Sequence, residues 1–261
     1  MIAVGMRRHW RRLLCGLLLL LPALRGYAAD RVVSLNLCTD QMLVLLAPEK
    51  IAALSPLAGD ASLSFVAQQA QRLPSVRASA EAVLRLHPDL ILAAAYGAQA
   101  TLVVLQQEHI PILRIELPQD LAGVRQTTRQ IADTLGATAR GEELLARMDA
   151  ELAKLPHEDR GIRSLVWEPR GFTAGPGTLM DALLHAAGLS NMSDGRRVGM
   201  ETLLRHPPDL LIVPTVPAYP SLATTMLQHP ALAGVPRRMI PPALTICAGP
   251  FSAQAVALLA Q

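Results

Sequence analysis

One segment of the chain occurs twice. Glu81-Ala-Val-Leu-Arg-Leu-His-Pro-Asp-Leu-Ile-Leu92 returns as Glu201-Thr-Leu-Leu-Arg-His-Pro-Pro-Asp-Leu-Leu-Ile212, with six of twelve positions identical at an offset of 120. Each copy reads as a short helix stopped by proline and followed by a buried strand. The glutamate at the front and the Pro-Asp-Leu stop both recur, which points to two related halves rather than chance.

The rest of the chain fits two such halves. Apolar runs that read as buried strands are residues 31–35, 51–54, 90–94 and 112–116, then 164–168, 210–213 and 238–240. Helical patterns lie between them, at residues 40–46, 98–107 and 178–187. Strand–helix alternation with continuous apolar strands predicts parallel sheets covered by helices. Residues 121–155 carry no strand signal. Leu121, Val124, Ile131 and Leu135 make one apolar helix face, Gly136 interrupts, and a second helix is expected from about Ala139 to Leu155, where Pro156 ends it. At 1.5 Å per residue the second helix spans roughly 25 Å, enough to bridge two lobes. The expected organisation is residues 1–28 as a leader, 29–137 and 157–261 as α/β lobes, and 138–156 as the connecting helix.

The leader assignment rests on Arg7, Arg8, Arg11 and Arg12, followed by the apolar run Leu13–Leu24 and by small residues at Gly26 and Ala28. The run is too short for a lasting anchor, so cleavage is expected after Ala28, or after Ala29. Cys15 lies at the front of the apolar run, ahead of its core, whereas a lipid-modified cysteine would follow it. Five of the 24 basic residues lie in this leader, leaving 19 against 21 acidic groups and a net charge near −2. A mature chain of that charge has no basic excess with which to hold nucleic acid. The expected product is a soluble monomer exported to the periplasm.

No catalytic constellation emerges. There is no Gly-x-Ser-x-Gly turn, no phosphate-binding glycine loop with lysine, no His-Glu-x-x-His and no paired Cys-x-x-Cys. His87, His206 and His229 each precede a proline at an element end and read as turn or helix-end residues rather than metal ligands. Cys38 and Cys247 are left after the leader. In an oxidising compartment they can bridge, ligate a metal centre or sit as small buried apolar groups. A bridge across a binding cleft would obstruct ligand access, which weighs against the first.

The ordered set Val33-Ser-Leu-Asn-Leu-Cys-Thr-Asp-Gln-Met, Glu81…His87-Pro-Asp-Leu-Ile-Leu, Phe172-Thr-Ala-Gly, Glu201…Pro208-Asp-Leu and Cys247-Ala-Gly-Pro resembles the periplasmic binding proteins for iron complexes and cobalamin that serve ABC importers. The likeness covers about residues 30–261. It implies the class III binding-protein fold, two Rossmann-like α/β lobes joined by a single long backbone helix with ligand held between them and little domain closure. It implies a receptor and not an enzyme. It needs no cofactor of its own, since the metal chelate (a ferric siderophore, haem or cobalamin-like compound) is cargo, and its partner is an ABC permease. Glu81 and Glu201 match the positions at which each lobe offers a carboxylate to permease arginines. Loops after the strands line the cleft in this fold, so the ligand-contact candidates are Asn36, Cys38, Arg77 and Tyr96 in the first lobe. In the second they are Trp167, Arg170, Phe172, Thr173, Tyr219 and Cys247. Phe172 matches an aromatic contact of cobalamin-binding members, but the chain departs from their tryptophan-rich clefts, since Trp167 is its one tryptophan after the leader. Arg77 and Arg170 suit the carboxylates of a chelate. Trp167 and Phe172 also suit plain core positions. The alternatives are a free zinc or manganese receptor of the same fold, which needs a compact His and carboxylate set, and a periplasmic α/β enzyme, which needs a nucleophile–base pair.

Overall fold

The computed structural model describes residues 29–156, 158–215 and 229–261. The expected leader and Tyr219 lie outside the described residues. Among the described residues there are two four-stranded sheets, and every strand pair in them is parallel. The first contains β1 (Val32–Ser34), β2 (Ile51–Ala53), β3 (Leu90–Ala94) and β4 (Ile112–Ile115). The second contains β5 (Ile162–Val166), β6 (Leu189–Asn191), β7 (Leu210–Pro214) and β8 (Arg237–Ile240). Their spatial orders are the same, β2-β1-β3-β4 and β6-β5-β7-β8. Among the described residues the α-helices are α1 (Leu37–Leu46), α2 (Ala67–Ala70), α3 (Ala80–Leu84), α4 (Gln99–Gln107), α5 (Leu121–Thr134), α6 (Thr138–Leu152), α7 (Leu179–Ala186), α8 (Met200–Arg205) and α9 (Ser252–Leu259). The protein therefore has two α/β halves built on parallel sheets of the same strand order.

The repeated Pro-Asp-Leu segment has a physical role in each half. Asp89 accepts hydrogen bonds from the backbone N–H groups of Asp30 and Arg31, at 2.8 and 3.0 Å, where the chain enters β1. Asp209 accepts from the N–H of Arg163 at 3.0 Å and pairs with its guanidinium, also at 3.0 Å, in β5. Each aspartate thus pins the start of its own strand to the start of the neighbouring one. The leucine that follows enters a strand buried on both faces, as expected of parallel sheets under helices. Strand β6 had no signal in the sequence: its three residues, Leu-Ser-Asn, form a short edge, and only Leu189 is buried.

Between the sheets, α5 and α6 form an antiparallel pair. Asp120 caps α5, accepting from Gly123 N–H at 2.6 Å, and Gly136 makes the turn with φ of 67°. Gly141 lets the helices approach, because a Cβ there would lie 2.7 Å from that of Ala132. Helix α6 packs on both halves. Leu144 joins the core of the first sheet. Leu145 and Met148 meet Val124 on one side and Ala248 and Ala253 of the second half on the other. Leu152 packs against the second half's core. Phe65 stacks on Phe251 across the seam, with ring centroids 4.7 Å apart, and Leu37 at the head of α1 is buried in the second half's core.

Candidate ligand cleft

In a parallel α/β sheet the helices return antiparallel to the strands, so the loops after the strands and the N-termini of the following helices share one edge. Cys38 follows β1 and Cys247 follows β8, and the two are bonded, with Cα atoms 5.1 Å apart. The bond therefore brings the C-terminal edges of the two sheets together. A cavity of about 420 Å³ opens between them, within the usual range of roughly 300–1,000 Å³ for small-molecule sites. The first half contributes Asp60, Ser62 and Leu63 to its wall, and the second contributes the ends of β5, β7 and β8 with the turn at Thr245 and Ile246.

The bridge corrects two expectations. It forms despite crossing between the lobes, and it does not fill the cavity. It sits where Leu37 already packs into the second half, at the seam rather than under the opening. The expected contact between a free thiol and ligand is set aside, because both sulfurs are bonded and Cys247 is 1% exposed.

Trp167 is also corrected. It is fully buried, and its Nε1–H donates to Val198 O at 2.8 Å. Trp167 N–H extends the β5 ladder to Ile212 O, so strand alternation continues past the formal end of β5. Leu165 and Trp167 point to one core face, while Val166 and Glu168 point to the cavity. Glu168, not Trp167, is the wall residue.

The other candidates lie around the cleft. Asn36 caps α1, accepting from Cys38 N–H at 2.9 Å. It lines a second space of about 10 Å³ beside Ala94, Glu116 and Ala248, room for a single water at most. Arg77 and Arg170 are exposed and do not line the larger cavity. Tyr96, 77% exposed, and Phe172, 50% exposed, stand on the loops after β3 and β5. The Arg197 guanidinium lies 4.9 Å from the Phe172 ring centroid and donates to Arg170 O at 2.6 Å. Thr173 is engaged internally, donating to Arg196 O at 2.6 Å and accepting from Ser193 Oγ at 2.6 Å.

Residues missed in the sequence are Asp60, Ser62, Glu168, Thr215 and Ile246. Asp60 Oδ1 accepts from the backbone N–H and hydroxyl of Ser62, at 2.8 and 2.6 Å, and these bonds hold its pKa below the ordinary value. Glu168 is exposed at the cavity mouth, and partial desolvation there raises its pKa. Its position directly after a strand was the available signal. Among the described residues no three His, Cys, Asp or Glu side chains converge, so the ion-receptor alternative has no ligand set there.

Glu81 and Glu201 occupy matching places, each the second residue of its helix, α3 and α8. Their side chains are 81% and 84% exposed. Each pairs with the arginine one turn on, Glu81 with Arg85 at 2.8 Å and Glu201 with Arg205 at 3.2 Å.

A family model described as periplasmic binding protein matches residues 32–236. The chain belongs to that family. This periplasmic binding protein is a receptor rather than an enzyme, and it works outside the cytoplasm. Solved structures with the same fold include a possible iron-binding, periplasmic solute-binding protein from Staphylococcus epidermidis. It is 18% identical over 89% of this chain and 98% of its own, with a TM-score of 0.72. The periplasmic heme-binding protein RhuT from Roseiflexus sp. RS-1 is 23% identical over 89% and 98%, with a TM-score of 0.70. The periplasmic vitamin B12 binding protein BtuF of Vibrio cholerae is 17% identical over 89% and 96%, with a TM-score of 0.64. At these identities the likeness is one of fold. A comparison with curated protein sequences found no match.

Proposed function

We propose that this protein is the solute-binding component of an ABC importer, and that it captures a bulky metal chelate in the periplasm and passes it to the permease after residues 1–28 are removed. The matched pair of exposed carboxylates carries this reading. Glu81 and Glu201 stand at the same helix position in each half. A partner built on two-fold symmetry can engage both at once. Their pairs with Arg85 and Arg205 are exposed, and such pairs contribute little, so the carboxylates exchange partners at small cost.

The nature of the cargo is supported by the rim. Leu57, Tyr96, Leu117, Phe172, Met192 and Ile246 are exposed apolar side chains, and each follows a different strand on the cleft-side edge. That rim suits a ligand with broad apolar faces better than a hydrated ion. The haem- and vitamin B12-binding proteins of the same fold agree with a chelate of that size.

The test pairs binding with transport. Absorbance titration and native mass spectrometry of the protein from residue 29 onward, with haemin, cyanocobalamin and ferric chelates, identify the cargo class. Replacement of Glu81→Lys together with Glu201→Lys is expected to abolish uptake in cells while ligand affinity in solution stays as in the parent. Unchanged uptake by the double variant would remove the docking role.

A further inference from the structure

Among the described residues, the cavity is lined by two carboxylates, one from each half, and by no basic side chain. Asp60 comes from the first half and Glu168 from the second. Asp60 uses one oxygen for the Ser62 turn, and its Oδ2 has no hydrogen-bond partner among the described residues. The Glu168 carboxylate has no partner there at all; only its backbone is engaged, with Gly171 and Phe172. Both residues are exposed to solvent in the open cleft, so a ligand can take up their free oxygens without breaking an internal bond. The arginines of the neighbouring loops stand off the wall: Arg77, Arg170, Arg196 and Arg197 do not line the cavity, and Arg197 lies against the Arg170 carbonyl and the Phe172 ring. Residues 216–228, which follow Thr215, contain no charged side chain in their sequence.

We propose that this cleft selects its chelate by charge: Asp60 and Glu168 admit a metal complex whose periphery is neutral or cationic and donates hydrogen bonds, and they disfavour complexes that carry carboxylates or other anionic groups. Amide or ammonium N–H groups on the ligand are the matching chemistry, since both carboxylates offer open acceptor oxygens. An anionic periphery filling the cavity would be brought up against two like charges, which is unfavourable. This rests on the chelate-binding reading above, and it reverses the earlier expectation that Arg77 and Arg170 pair with ligand carboxylates.

The experiment compares four probes on the protein from residue 29 onward: cyanocobalamin and ferrioxamine B, with neutral and cationic peripheries, against haemin and a ferric tris-catecholate, which are anionic. Isothermal titration and absorbance titration are expected to give at least one of the first pair an affinity about tenfold or more above both of the second. Glu168→Gln, with Asp60→Asn/Glu168→Gln as a second variant, is expected to narrow that gap, and Glu168→Lys to reverse it, with thermal melting confirming that each variant is folded. Tighter binding of haemin or the tris-catecholate by the parent protein overturns the proposal, as does a ranking that none of the variants changes. Failure of all four probes to bind overturns the chelate reading itself, and the charge selection with it.

Discussion

Cutting the Cys38–Cys247 bridge offers a quantitative check on how the two lobes are held. The bonded cysteines are 209 residues apart, so the bridge closes nearly the whole chain after the leader into one loop. Loop-closure entropy for that length gives about 5 kcal/mol at 25 °C, an upper figure because unfolded chains are not fully random. Alanine is the suitable replacement at both sites, because serine would bury a hydroxyl at Cys247, which is 1% exposed. With a urea slope of roughly 2–3 kcal/mol/M for a chain of this size, Cys38→Ala/Cys247→Ala is expected to lower the unfolding midpoint by about 2 M. Adding reductant to the parent protein is expected to produce a shift of the same size, and none in the variant. Alkylation followed by mass measurement, with and without reductant, checks that the parent carries no free thiol at either position. A loss below about 1 kcal/mol, the size of an ordinary single substitution, would refute the reasoning, as would free thiols in the unreduced protein.

Two further predictions address the lobes separately. Asp40 is fully buried, and desolvation raises its pKa to about 6 even though Ser34 and Ser55 bond to it. A raised carboxyl pKa makes its contribution to stability greatest below the unfolded value of 3.8, and that contribution is lost as pH rises through about 6. Urea midpoints from pH 4 to pH 7 are expected to fall by an amount corresponding to about 2 kcal/mol from this group, and Asp40→Asn to flatten that slope. An unchanged slope in the variant would exclude Asp40 as its source. Trp167→Phe removes the donor to Val198 O and leaves that carbonyl unpaired, so a stability loss of about 1–3 kcal/mol is expected, with no change in ligand affinity. A large affinity loss with stability intact would return Trp167 to the binding site.

The amino-acid sequence by itself determined the plan of two α/β halves. Strand runs, helix periodicity, proline stops and the Glu…Pro-Asp-Leu recurrence are local signals, because each reflects contacts within a few turns or between strands that pair through one connection. The matched places of Glu81 and Glu201 were legible for the same reason. Only the tertiary structure decided which groups meet between the halves. The pairing of Cys38 with Cys247, the burial of Trp167, and the meeting of Asp60 with Glu168 at one cavity depend on how α6 and its flanking cores set the two sheet edges against each other. That arrangement is fixed by packing among Val124, Leu145, Met148, Ala248 and Ala253, residues far apart in the chain, whose apolar character was visible but whose partners no local pattern records.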